Sequence, residues 1–288
     1  MSPSELLAPL FWAAGVAGLL LAVGFCLPAK WRARSGVRRV TLWFPVFAGY
    51  AAGVWAIRGW PAIPPREAAG WLLYGSGAAV LGAALWPWKP PSPLLWLSRL
   101  TAVGVLLFLL LQPMFRHEWG GGEGFVWTGA LGLAWMAVWG AWGRTALSQP
   151  IATWVVIGVL TGGLAAVVMI AGSATFSQNG LALAGAVAAF GVYYLAAVLT
   201  RGHSPGLPLA LPGLVWPGLL TAGIFYADIP WLAAVLLGAA ALGVLIPLAP
   251  RVRKLSPPVR LAAVAGWVAV LLAAALWWTQ QQAPDLYY

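Results

Sequence analysis

Charged residues are scarce in this chain. They make up 8% of its 288 residues, while 62% are hydrophobic and the mean hydropathy is +0.87. A soluble domain carries about 25% charged residues, so ordinary soluble domains, disordered tails, coiled coils and collagen-like arrays are excluded. Cysteine is rarer still. The single Cys26 excludes a disulfide framework, CxxC redox chemistry and CxxCH haem attachment. Both histidines, His117 and His203, fall in apparent loops, which leaves no bis-histidine haem site inside a helix bundle. None of the six acidic residues falls in the middle of an apolar run. Coupled transport or proteolysis through a buried carboxylate is therefore not expected. Tandem solenoid periods and the alternation of barrel strands are missing as well.

What the chain has instead is apolar runs of the length a helix needs to cross a hydrocarbon core, roughly 20 residues at about 1.5 Å each. Ten are predicted: 6–27, 40–57, 68–86, 94–113, 125–142, 150–172, 179–200, 207–227, 230–249 and 260–279. Ala and Leu dominate them without period-two alternation, so they read as helices. Pro, Gly or charge marks almost every connection. The expected fold is an all-α polytopic membrane protein of about ten transmembrane helices, with residues 1–288 forming a single integral membrane domain. The first run follows Met1-Ser2-Pro3-Ser4-Glu5 rather than a basic n-region, and is expected to stay as a span. Bulky Phe25 before Cys26 departs from a lipoprotein box, so Cys26 is expected to be a small buried helix residue.

The net charge of +10 would suggest nucleic acid in a soluble protein, but its distribution explains it otherwise. Counting loop by loop, one side holds Lys30, Arg32, Arg34, Arg38 and Arg39, then Lys89, Arg144 and Arg201, then Arg251, Arg253, Lys254 and Arg260. The other side holds Arg58, Arg66 and Arg116 with all six acids, Glu5, Glu67, Glu118, Glu123, Asp228 and Asp285. The positive-inside rule makes the first side cytoplasmic and both termini external, in the cell membrane. The bilayer is thus the expected partner, with other membrane subunits as further ones, and no nucleic acid. Many of the twenty tryptophans (Trp12, Trp43, Trp60, Trp86, Trp88, Trp119, Trp231, Trp277 and Trp278) sit where a run meets a loop, as an interfacial belt requires.

Internal similarity suggests duplication. At a shift of 161 residues, Gly77-Ala78-Ala79-Val80-Leu81-Gly82 meets Gly238-Ala239-Ala240-Ala241-Leu242-Gly243, and Arg99-Leu100-Thr101-Ala102-Val103 meets Arg260-Leu261-Ala262-Ala263-Val264. A shift of 172 places Pro45 on Pro217. The reading is two parallel four-helix repeats, 6–113 and 179–279, flanking a central pair over 125–172. Ten spans in under 300 residues resemble the drug/metabolite transporter type in size. That type pairs two five-span inverted repeats with cytoplasmic termini, so the resemblance stops at length.

Helix breakers give the best pointer to a site. Pro45 and Tyr50 lie in the second span; Pro208, Pro212, Pro217, Thr221 and Tyr226 lie in or beside the eighth. Interior prolines free carbonyls that neighbours, water or a ligand must satisfy. The expected substrate pathway is lined by Pro45, Tyr50, Pro212, Pro217, Thr221 and Tyr226. Arg99, the one basic residue inside a span, is expected to be an interfacial or anion-binding group. Two loops are set aside: Arg116–Glu123, whose spacing fits no metal pattern, and the uncharged turn Ser173–Asn179, expected to cap helix ends or form a vestibule. No catalytic residue, metal or cofactor is expected. The reading is a non-enzymatic transporter or facilitator of a small uncharged or amphipathic solute; the alternative is a non-catalytic structural or scaffold subunit of a membrane protein complex.

Overall fold

The structure, a computed structural model, describes residues 3–26, 35–85, 92–201 and 206–283. Lys30, Arg32, Arg34, Trp86, Trp88, Lys89, His203 and Asp285 lie outside the described residues. Among those described there are ten α-helices and no strand: α1 (Pro3–Cys26), α2 (Ser35–Arg58), α3 (Ala68–Leu85), α4 (Ser92–His117), α5 (Gly121–Ser148), α6 (Pro150–Ile170), α7 (Ala174–Arg201), α8 (Ala210–Tyr226), α9 (Trp231–Leu242) and α10 (Pro257–Gln282). Eight helical stretches are long and apolar enough to cross a membrane, and two shorter apolar ones lie in α3 and α8. This is compatible with a multi-pass membrane protein. Length and composition carry that statement.

The shortness of α8 has a physical basis. Its 17 residues rise only about 25 Å, yet it touches α3, α4, α5, α6, α7 and α9. Thirteen of its residues are buried. A helix wrapped by protein on all sides satisfies its ends against neighbours and need not match lipid thickness.

Three boundaries differ from the sequence reading. The ninth run, expected as one span over 230–249, stays α-helical only to Leu242 and then tightens into a 3-10 turn over Gly243–Leu248. Pro247 within that turn has no N–H to give to an α-helical ladder. The loop expected over Arg116–Glu123 is largely helix, since α4 runs to His117 and α5 starts at Gly121. Likewise α7 begins at Ala174, so most of the expected turn Ser173–Asn179 is its first turn and a half. Its turn lies earlier. Gly172, at φ +95°, closes α6, with Gly172 N–H donating to Met169 O at 3.1 Å and Ser173 N–H to Val168 O at 3.1 Å. That is the Schellman pattern, with glycine at the left-handed position.

Cys26 is exposed, not buried. The buried stripe of α1 is Pro9, Ala13, Ala17, Leu21 and Gly24, and Cys26 lies off it. Small residues on that stripe let α1, α2 and α7 close into one seam. Gly49 and Gly53 of α2, four residues apart, face Ala13 and Ala17, and Pro9 and Ala182, respectively. Gly185 of α7 lies against Leu10 O of α1. Where lipid offers no hydrophobic drive between helices, this close approach supplies the dispersion contact.

Tryptophan does more than form a belt. Trp60, Trp231 and Trp277 are exposed at or near helix ends. Five others bond between helices through the indole N–H: Trp142 (α5) to Ala241 O (α9) at 3.1 Å, Trp154 (α6) to Val187 O (α7) at 2.8 Å, Trp216 (α8) to Leu160 O (α6) at 3.1 Å, Trp267 (α10) to Ala239 O (α9) at 3.1 Å, and Trp135 (α5) to Thr221 Oγ1 (α8) at 3.0 Å. A donor-only group that sinks into the bundle must find an acceptor there. The second lone pair of a helical carbonyl is the acceptor at hand. Trp142 takes a carbonyl just where α9 gives way to the 3-10 turn.

Candidate functional site

The expected pathway residues do not form one group. Pro45 and Tyr50 are buried in α2, and Pro212, Pro217 and Thr221 are buried in α8. α2 and α8 are not close neighbours; α3 and α7 each contact both. Tyr226, half-buried at the end of α8, donates its hydroxyl to Leu110 O of α4 at 2.7 Å and stacks on Phe176 of α7 at 6.4 Å between ring centroids. Thr221, one turn after Pro217, is held by the Trp135 indole.

What α2 meets instead is the start of α7. The Tyr50 hydroxyl, fully buried, faces Asn179 Oδ1 at 3.5 Å. Asn179 is itself fully buried and turns its Nδ2 back onto Thr175 O, one turn earlier in its own helix, at 2.9 Å. That backward bond presents Oδ1 to Tyr50. Next to it Gln178, 8% exposed, donates to Glu5 O of α1 at 3.3 Å, and Ser177 is 2% exposed. Where α1, α2 and α7 converge, the Tyr50 phenol meets the Asn179 carboxamide, and Gln178 ties the same turn of α7 to α1. Asn179 and Gln178 are the only buried side-chain amides among the described residues. Sequence reasoning assigned them to a turn. The signal that could have found them is that a polar cluster directly after a glycine-capped helix begins the next helix, and so packs at depth.

The geometry of Tyr50 and Asn179 matters chemically. An O–H···O bond ordinarily spans about 2.5–3.0 Å, so the Tyr50 hydroxyl is held loosely by its one partner. Asn179 Oδ1, a carbonyl with two lone pairs, is in the same position. Neither member of the Tyr50–Asn179 pair carries a charge at neutral pH. The pair can exchange hydrogen bonds with an uncharged polar group.

Arg99 of α4 sits apart. Its guanidinium lies over two indoles, 5.5 Å from the centroid of Trp96 and 5.2 Å from that of Trp139. Two aromatic faces hold a cation by their quadrupoles.

No family model, no curated protein and no solved structure matches the chain.

Proposed function

We propose that the protein crosses the cell membrane ten times, with both termini outside, and carries a small uncharged or amphipathic solute. The observation that carries this reading is the neutral, loosely bonded pair Tyr50–Asn179 at the junction of α1, α2 and α7. A buried hydroxyl and carboxamide cost free energy unless bonded, and a pair held at 3.5 Å leaves capacity for a third group. A hydroxyl or amide of a solute would complete it. No step of such binding moves a proton or needs an ion.

The helix pairings support the same reading. A relation of five helices accounts for more of them than the four-helix relation drawn from 6–113 and 179–279. The pairs α1·α2, α2·α3, α3·α4 and α4·α5 recur as α6·α7, α7·α8, α8·α9 and α9·α10, while α2·α7 and α3·α8 join equivalent helices. One ungapped shift of 143 residues follows suit: Gly15-Val16 meets Gly158-Val159, Phe47 and Tyr50 meet Phe190 and Tyr193, Arg58-Gly59 meets Arg201-Gly202, Pro65 meets Pro208, Gly70 and Gly75 meet Gly213 and Gly218, and Pro87-Trp88 meets Pro230-Trp231. An odd number of spans per half makes the second half inverted. The halves are not in equivalent arrangements: α1 packs along α7, yet α6 does not pack closely along α2. Inverted halves in unequal arrangements are the basis of alternating access around a site between them.

The scaffold reading has one observation in its favour. Phe11, Trp12, Gly15, Val16 and Leu19, all on the outer face of α1, line a shallow groove of about 410 Å³ suited to an apolar helix. Flux decides between the two. In proteoliposomes, a panel of uncharged polyols, amides and amphipathic aromatics should include a solute that crosses faster than through protein-free vesicles. Asn179→Leu should slow it about tenfold, the equivalent of one lost buried hydrogen bond, and Thr200→Val, whose exposed hydroxyl bonds only Ala196 O, should leave it unchanged. Passage of every solute at the protein-free rate, or equal flux with Asn179→Leu, would overturn the proposal.

A further inference from the structure

At the end of the bundle away from Glu5, Glu67, Glu118, Glu123 and Asp228, the start of α10 meets the junction of α5 and α6. Gln149 alone separates those two helices, in an extended kink at φ −142° and ψ 64°. A cavity of about 420 Å³ opens there, lined on one side by Ser148, Gln149, Pro150, Ile151 and Ala152, on the other by Pro257, Pro258, Arg260 and Leu261. Among the described residues, Arg260 Nε is the one buried side-chain nitrogen or oxygen without a hydrogen-bond partner. A guanidinium N–H left unsatisfied against protein is costly, and this one belongs to a residue that lines an open cavity.

The rest of the lining is of one kind. Gln149 can donate through its carboxamide, while the Ser148 hydroxyl donates to Thr145 O at 3.4 Å. The first backbone N–H groups of a helix have no intrahelical partner; Thr153 N–H is taken by Gln149 O at 3.0 Å, which leaves those of Ile151 and Ala152 at the cavity wall. Arg251, Arg253 and Lys254 in the turn before α10, and Arg144 one turn before the end of α5, add positive charge. Around these donors Pro150, Ile151, Pro257, Pro258 and Leu261 form an apolar collar.

We infer that this cavity is a binding site for a phosphate ester, gripped by Arg260 with Gln149 and the amides that open α6. A guanidinium matches two phosphate oxygens at once, helix N-termini favour anions, and the volume suits a phosphate with its first few carbons. The ester reaches the cavity either as the headgroup of an anionic phospholipid, its chains lying along the apolar collar, or as a soluble phosphate compound.

The full chain in neutral detergent tests this by native mass spectrometry, titrated with phosphatidylglycerol, with phosphatidylcholine, and with inorganic phosphate as competitor. The wild type should take up one phosphatidylglycerol with an affinity that Arg260→Gln lowers about tenfold. Gln149→Ala should lower it less, and Arg253→Gln, outside the cavity, should change it about twofold at most. Displacement of the lipid by inorganic phosphate assigns the site to a free phosphate group; resistance to it assigns the site to a lipid headgroup. Thermal unfolding of each variant checks that it is folded, and Gln149→Ala stands in if Arg260→Gln is not. Equal uptake of phosphatidylglycerol by the wild type, Arg260→Gln and Gln149→Ala would overturn the inference; preference for phosphatidylglycerol over phosphatidylcholine is expected because the choline cation meets the surrounding positive charge.

Discussion

The seam of α1, α2 and α7 holds Tyr50 against Asn179, and its tightness can be tested by adding single methyl groups. A Cβ built on Gly49 would lie 2.5 Å from Ala13 O and 2.6 Å from Ala17 Cβ; one on Gly53 would lie 2.5 Å from Ala182 Cβ and 2.8 Å from Pro9 O. None of these atoms can swing aside, because each is backbone or an alanine methyl. Ordinary carbon contacts lie at about 3.5–4.0 Å, so α1 must move out by about 1 Å, and for Gly53 α7 must shift as well. Overpacking of that kind costs about 1–3 kcal/mol, partly offset by the roughly 1 kcal/mol gained when alanine replaces a helical glycine. Gly15 and Gly18 of α1 have nothing within 4 Å of the same added atom. Comparing Gly49→Ala or Gly53→Ala with Gly15→Ala cancels the propensity gain and isolates the packing cost. At about 2–4 °C per kcal/mol, Gly49→Ala should melt about 2–12 °C below Gly15→Ala, read as loss of the monodisperse size-exclusion peak on heating in detergent. The double variant Gly49→Ala/Gly53→Ala should cost less than the sum of the two, because one displacement of α1 relieves the Gly49 clashes and the Pro9 O contact of Gly53, leaving the Ala182 contact on α7. Coincident melting of Gly49→Ala, Gly53→Ala and Gly15→Ala would refute the close seam.

Other expectations are simpler to state. Trp142→Phe removes the bond to Ala241 O and should destabilise by about 0.6–1.7 kcal/mol for the hydrogen bond, plus the lost ring volume. Trp277→Phe, on an exposed indole, should leave the melting temperature unchanged, and an equal effect of both would remove the role given to the buried indole bonds. On the cysteine-free background Cys26→Ala, a cysteine at Glu123 should react with a membrane-impermeant maleimide added to intact cells, and one at Arg253 should react only after the cells are opened. The opposite pattern would invert the topology.

Much of the helix count was legible because it rests on a one-dimensional property. A run of about twenty apolar residues with charged or proline-marked ends specifies a helix whatever its neighbours are, and ten such runs became ten helices. Where the reading fell short, the cause lies in three dimensions. The 3-10 turn after Leu242 depends on Pro247 and on Gly243, which lies against the Trp267 ring; hydropathy averages over both. Cys26 looked buried because the entire segment is apolar, so the sequence has no contrast with which to say which face of α1 turns inward. Trp135, Trp142, Trp154 and Trp216 sit inside helices, and only their partners, three carbonyls and the Thr221 hydroxyl, explain why so polar a ring edge is there.

The candidate site was half legible for a related reason. Tyr50 was found because it lies inside an apolar run, where a polar group stands out. Asn179 lies at the edge of one, and a polar edge reads as a turn. Yet α7 starts only at Ala174, directly after the glycine cap of α6, so its first five residues are already part of a 28-residue helix laid against α1 and α2. The rule that polar groups at depth are functional candidates therefore has to be applied to the helix, not to the apolar run within it. Arg260 makes the same point from the charged side. By sequence it is one of four cations in a strongly basic turn, equivalent to Arg253 for fixing topology. Only the packing of the first turn of α10 beside Gln149 and Pro150 separates the two, leaving Arg253 in solvent and Arg260 with a buried donor that nothing among the described residues receives.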